Sequence, residues 1–256
     1  MPISTRPAIY TGLLACTLLL TACKQSADTP VSAPAIAAPA DSAIPPAAAA
    51  ARVVDQLFLA DTIGMNLAQV DKLVGPAVRS ALHRHQYRVD GCELTLRTDE
   101  ADQTVQAVEV AITPSCQLSL QPLLRDYAGE PATQLQALNF ARFAEMLSGA
   151  SYYADCLSMC GNAADPVVTL HAEDPRALHL LEFAIEVPLV GDAALSAADH
   201  WRKTMETAES ETYVLDNRFN CEPQRFAPVV APAFAPIQPA VFIFGRDLGY
   251  GSDDCS

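Results

Sequence analysis

Two stretches of this chain share one apolar phasing at a fixed separation, and self-similarity of that kind restricts a fold more than any local motif. Residues 66–75 and 139–149 align at an offset of 73, with Leu67, Val70, Leu73 and Val74 matched by Phe140, Phe143, Met146 and Leu147. That spacing puts the four side chains on one face of a short helix. Asn66 and Asn139 suit the helix starts, and Gly75 and Gly149 the ends. Downstream, Leu94-Thr-Leu96 matches Val168-Thr-Leu170 at an offset of 74, and residues 108–112 match 181–185 at 73. The latter blocks alternate in period two, as half-buried strands do. Polar stretches at 98–104 and 172–176 separate the strands. Each copy is therefore expected to be a helix followed by at least two antiparallel strands. The fold class is α+β, with tandem helix-plus-antiparallel-sheet repeats over 51–125 and 126–190, and a C-terminal extension or degenerate third repeat over 191–256.

The run Ile63-Gly-Met-Asn-Leu-Ala-Gln-Val-Asp-Lys-Leu-Val-Gly-Pro76 resembles the opening of the small outer-membrane lipoproteins called SmpA/OmlA, or BamE. The resemblance implies helices packed on a three-stranded antiparallel sheet. The tandem arrangement resembles the β-lactamase inhibitory protein, which implies an enzyme-binding sheet surface. The second copy lacks the Gly-Met and Gly-Pro pairs. Residues 156–166 resemble a segment of uncharacterised proteobacterial envelope lipoproteins, which implies no activity.

The amino terminus reads as a lipoprotein signal over residues 1–22. Arg6 precedes a mostly apolar stretch at 8–20, which is short for a membrane span of about 20 residues. Leu20-Thr-Ala-Cys23 then resembles a lipobox. Cleavage before Cys23 leaves a thiol and an amine for acylation, and several acyl chains hold a protein where one binds marginally. Lys24 at the next position leans toward the outer membrane. Residues 24–50 hold 11 Ala and 5 Pro, no aromatic residue and three charges. Such a stretch buries too little apolar surface to offset its ordering entropy. As an extended Pro-rich tether it reaches roughly 80 Å.

Those features place the remainder in the periplasm, where cysteines pair. Cys92, Cys116, Cys156, Cys160, Cys221 and Cys255 then read as three disulfides, and sequential pairing closes the most compact segments. Cys156-x-x-x-Cys160 lacks both a second ligand pair for zinc and the two-residue spacing of a redox pair. Residues 196–208 read as a helix with Trp201 and Met205 on one face. Residues 212–219 and 240–244 read as strands, and Pro228, Pro232, Pro236 and Pro239 interrupt the stretch between them.

No catalytic motif is legible: there is no Gly-x-Ser-x-Gly elbow, no His-Glu-x-x-His helix and no phosphate-cradling glycine loop. No cofactor is expected. His83 and His85 share a face if 82–89 is a strand, a pair that alone holds a metal weakly. Asp253-Asp254 lack the other oxygens of a calcium loop. Strand alternation instead points to a surface. With Leu94, Leu96, Val108 and Val110 turned to the helices, Glu93, Thr95, Arg97 and Glu109 face the other way, and Thr169, His171, Glu182 and Glu186 do so in the second copy. Tyr152 and Tyr153 stand beside the short cysteine loop. The side chains of the mature chain comprise 15 Lys and Arg against 30 Asp and Glu. This excess argues against nucleic acid and against adsorption to anionic lipid, and suits either a basic protein partner or simple solubility. The expectation is a non-enzymatic, lipid-anchored inhibitor or immunity protein acting on a secreted effector or wall hydrolase. The alternative is an accessory subunit in outer-membrane assembly.

Overall fold

The capping residues and apolar phases translate directly into elements. The structure is a computed structural model described for residues 52–124, 133–161, 165–174, 181–250 and 255. Cys23, the signal and tether segments, Asn162 and Asp253-Asp254 lie outside the described residues. The first part runs α1 (Val53–Leu57), a 3-10 turn (Ala60–Thr62), α2 (Leu67–Val74), β1 (Arg79–Ala81), β2 (Arg84–Val89), β3 (Cys92–Thr98) and β4 (Val105–Ala111). The second runs a 3-10 turn (Leu135–Ala137), α3 (Phe140–Met146), β5 (Ser151–Ala154), β6 (Val167–Glu173) and β7 (Glu182–Pro188). The third adds α4 (Asp192–Ala208), α5 (Glu211–Leu215), a 3-10 turn (Arg218–Cys221), α6 (Ala227–Phe234) and β8 (Val241–Gly245).

Asn66 caps α2 in a reciprocal box with Gln69, and Gly75 ends it at φ +87°. Asn139 caps α3 by accepting from the Arg142 amide, but α3 stops at Met146 and the left-handed turn waits until Gly149. The eight strands among the described residues form one antiparallel sheet in the order β1-β2-β3-β4-β8-β7-β6-β5. Leu94 lies opposite Val110 and Val168 opposite Val187, offsets of 74 and 77. The 73-residue match of β4 with β7 therefore preserves which face a residue takes, while the pairing register moves by four.

The 212–219 stretch is not a strand. Ser210 caps α5 by accepting from the Tyr213 amide, Asn217 turns the chain at φ +50°, and a 3-10 turn follows. Packing against α4 overrides the β-propensity of Thr-Tyr-Val. The 240–244 strand is present as β8, and its position is the chief addition of the structure. It pairs with β4 on one side and β7 on the other, making one sheet of what the sequence divides into repeats and an extension. Its continuous apolar run suits a strand covered on both faces. Phe242 and Phe244 join the helix-side core with Phe58 and Phe183, whereas Ile243 points the other way.

Trp201 and Met205 are both buried, with Trp201 edge-on to Phe219 at 5.2 Å. Pro228 occupies the first turn of α6, where a missing N–H costs nothing, and Pro232 lies within an element of only eight residues. The disulfides are Cys92–Cys116, Cys156–Cys160 and Cys221–Cys255, the sequential pairing.

Candidate functional site

The helices contribute to one large core on one side of the sheet, and among the described residues no helical residue joins the small apolar cluster on the other side. The second face is built by the out-of-phase residues. Register brings Gln86 beside Thr95, Thr95 beside Glu109, Glu109 beside Ile243, Ile243 beside Ala184, Ala184 beside His171, and Tyr153 beside Thr169. Arg97, Glu109, Glu182, Glu186, His171 and Tyr153 thus share the expected face, with Glu93 nearer its rim. Tyr152 does not. One residue along a strand reverses direction, and Tyr152 packs in the core against Phe140 and Phe234.

The face is not the acidic surface that four aligned carboxylates suggest, because each one has been drawn into a pair or buried. Glu109 is 8% exposed and binds two guanidiniums, those of Arg97 and of Arg84, the latter at 2.5 Å. Burial opposes the charge on Arg97, but Glu109 outweighs it and holds the guanidinium above its ordinary value. His171 Nε2 lies 2.8 Å from Glu182. Burial pushes the Glu186 carboxyl up, against the hydrogen bond donated by the Tyr250 hydroxyl at 2.7 Å.

The chain's own C-terminal segment covers part of this face. After β8, Leu248 joins Ala107, Ala184 and Ile243 in the small cluster, and its amide donates to Glu182 at 3.3 Å. The Tyr250 ring rests 5.1 Å from His171 and 6.1 Å from Tyr153. Cys255 then fastens the segment to Cys221, in the turn where Asn220 bonds both backbone groups of Ala154 on edge strand β5. The side of the sheet made by β1 to β4 carries exposed Arg79, Arg84 and Arg88 together with Glu93, which pairs with Arg88 at 3.0 Å. Here Arg79, Ala81, Leu82, Arg84 and Gln86 line a shallow cavity of about 200 Å³.

No protein-family model, curated protein or solved structure matches this chain.

Two further features lie off the face. The Cys156–Cys160 loop projects Met159, 82% exposed and held at φ +51°. At the β1–β2 corner, His83 and His85 share a side, as their spacing requires, and both address one carboxylate oxygen of Asp102, at 2.8 and 3.3 Å. Thr98 donates to the same oxygen at 2.8 Å, and Ser80 lies 3.0 Å from the other nitrogen of His85. Donation from Thr98 and the imidazoles holds Asp102 down at about 2. Among the described residues no group of three or more His, Cys, Asp or Glu is arranged to hold a metal ion. Sequence reasoning found the histidines and missed Ser80, Thr98 and Asp102. The only available signal was a two-residue turn at Leu82-His83, which lacks the glycine or asparagine that marks such turns.

Proposed function

We propose that this chain is a lipid-anchored envelope protein that acts by binding another protein through the β1–β4 side of the sheet face opposite the helices. One observation carries the reading: among the described residues a wide antiparallel sheet is backed by helices on one face, and Leu248 and Tyr250 cover only part of the opposite face. Arg79, Arg84 and Arg88 stand exposed there, beside an edge strand of only three residues. A surface of this kind offers directional contacts to carboxylates of a partner. The overall negative charge, in turn, favours approach of a partner whose net charge is basic.

Within that reading, the chain is an inhibitor or immunity protein that neutralises a secreted effector or wall hydrolase. The tandem-repeat architecture, similar to SmpA/OmlA lipoproteins and the β-lactamase inhibitory protein, is supported by the order of elements. Each half passes from a 3-10 turn through an Asn-capped helix to antiparallel strands. Anchoring at Cys23, in the outer membrane, holds the domain on its tether in the periplasm. The alternative, an accessory role in outer-membrane assembly, is favoured by the Gly64-Met65 segment. Its backbone pairs with Val105 through bonds of 2.8 and 2.9 Å, giving that motif a structural use.

Deleting the gene and co-culturing the mutant with its parent tests the proposal. Killing that requires the parent's secretion machinery, and is cured by the plasmid-borne protein, is the expected result. Normal competition with a leaky envelope would instead support the assembly role. Arg79→Glu with Arg88→Glu is the appropriate surface variant, since reversal at Glu109 would break a buried ion cluster. The double variant is expected to fold and to lose protection; full protection would remove the β1–β4 face from the reading.

A further inference from the structure

The β1–β2 corner holds a hydrogen-bond chain whose direction can be worked out. Ionised Asp102 accepts only, and Thr98 spends its hydroxyl proton on Asp102 Oδ1 at 2.8 Å. His85 Nε2 lies 3.3 Å from that oxygen and 3.4 Å from Thr98 Oγ1, so both neighbours require Nε2 to carry a proton. In the neutral imidazole the lone pair then sits on Nδ1. Ser80 Oγ, 3.0 Å away, donates into it. A hydroxyl donating to an imidazole whose other nitrogen donates to a carboxylate is the arrangement of a base-activated nucleophile.

We propose that Ser80 is such a nucleophile and takes an acyl group from esters with apolar acyl chains, with His85 as its general base and Asp102 as the residue that positions His85. Ser80 is exposed on the outermost strand, whereas His85 is only 8% exposed, so the reacting oxygen is accessible and its base sheltered. Val78, 65% exposed and two residues before Ser80, provides the apolar contact. Leu82, His83 and Asp102 all adopt left-handed backbone, at φ +49°, +60° and +54°. The first two belong to the two-residue turn that sets β1 against β2 and so brings Ser80 opposite His85.

In the reaction Ser80 Oγ bonds to the ester carbonyl carbon while its proton passes to His85 Nδ1. The carbon–oxygen bond to the alcohol then breaks, and the alcohol leaves with that proton. Water reverses the exchange: it gives a proton to Nδ1, bonds to the carbonyl carbon, and Ser80 Oγ departs reprotonated with release of the acid. Ser80 and His85 take the strand phase opposite to Arg79, Arg84 and Arg88, so this proposal stands or falls separately from the protein-binding reading.

The test treats the full chain with a fluorophosphonate probe and with p-nitrophenyl butyrate. Expected are phosphonylation located at Ser80 by peptide mass spectrometry, its abolition in Ser80→Ala, and ester cleavage slowed about a hundredfold in His85→Gln. Asp102→Asn is expected to slow cleavage at least tenfold. In the unaltered chain labelling should slow as pH is lowered, because a proton on His85 Nδ1 removes the acceptor for the Ser80 hydroxyl, which a merely structural histidine would not produce. An unlabelled Ser80, or labelling indifferent to His85→Gln in a variant that melts normally, overturns the proposal. If His85→Gln fails to fold, a flat pH profile of the unaltered chain overturns it equally.

Discussion

Gly245 shows how one residue is dictated by a neighbour distant in sequence. It ends β8 opposite Ala107, and a Cβ there would stand 2.5 Å from the Ala107 Cβ and 2.6 Å from the Gln106 carbonyl oxygen. Gly245→Ala must push β8 from β4, and is expected to cost about 1–3 kcal/mol in chemical denaturation. Asp102 is a residue whose charge state is set by its donors. Its folded value, about 2, lies below the ordinary 3.8, so its ionised form adds stability above about pH 4 that is lost as pH falls toward 2. The difference in urea midpoint between the unaltered chain and Asp102→Asn should be constant above that range and shrink through it. Neither the crowding at Gly245 nor the donors to Asp102 is visible in local sequence, because the partners come from other strands.

Edge strands present unpaired backbone groups, and the two ends of this sheet manage them differently. β1 is short, exposed and bears an arginine. β5 is closed by side-chain amides: Asn220 accepts from the Ala154 amide and donates to its carbonyl, Asn217 donates to Asp155, and Gln224 donates to Ala150. Asn220→Ala leaves two backbone groups of Ala154 without these partners. A loss of about 1–3 kcal/mol is expected from its melting curve. Faster aggregation by light scattering should accompany it; unchanged aggregation would show that the remaining amides suffice. The helices α2 and α3 were legible because an asparagine cap and an apolar stripe are local signals. The 212–219 segment misled because Thr-Tyr-Val favours strand locally and only its packing on α4 makes it helical.

Across the whole molecule, residues 49–256 form one compact unit, with the central strand supplied by the last part of the chain. The Cys221–Cys255 bridge closes 34 residues and fastens the covering tail. Its replacement by Cys221→Ser with Cys255→Ser is expected to cost up to about 4 kcal/mol by loop entropy. The Leu248 amide should also exchange faster with solvent, while amides of β2 and β3 keep their protection. Equal exchange at Leu248 with and without the bridge would mean that Tyr250 and Leu248 hold the tail unaided.

The α+β class, the two capped helices, the faces of β3, β4, β6 and β7 and the reading of β8 as a strand follow from the sequence alone, since caps and periodicities of 2 and 3.6 act between near neighbours, whereas the inward turn of Tyr152 on β5 did not. Strand order, the four-residue change in register, the burial of Glu109 and Glu186, the tail across the open face and the meeting of Ser80, His85 and Asp102 were decided by tertiary structure. Each depends on which distant segments pair, and pairing is selected by how the whole sheet buries its apolar residues.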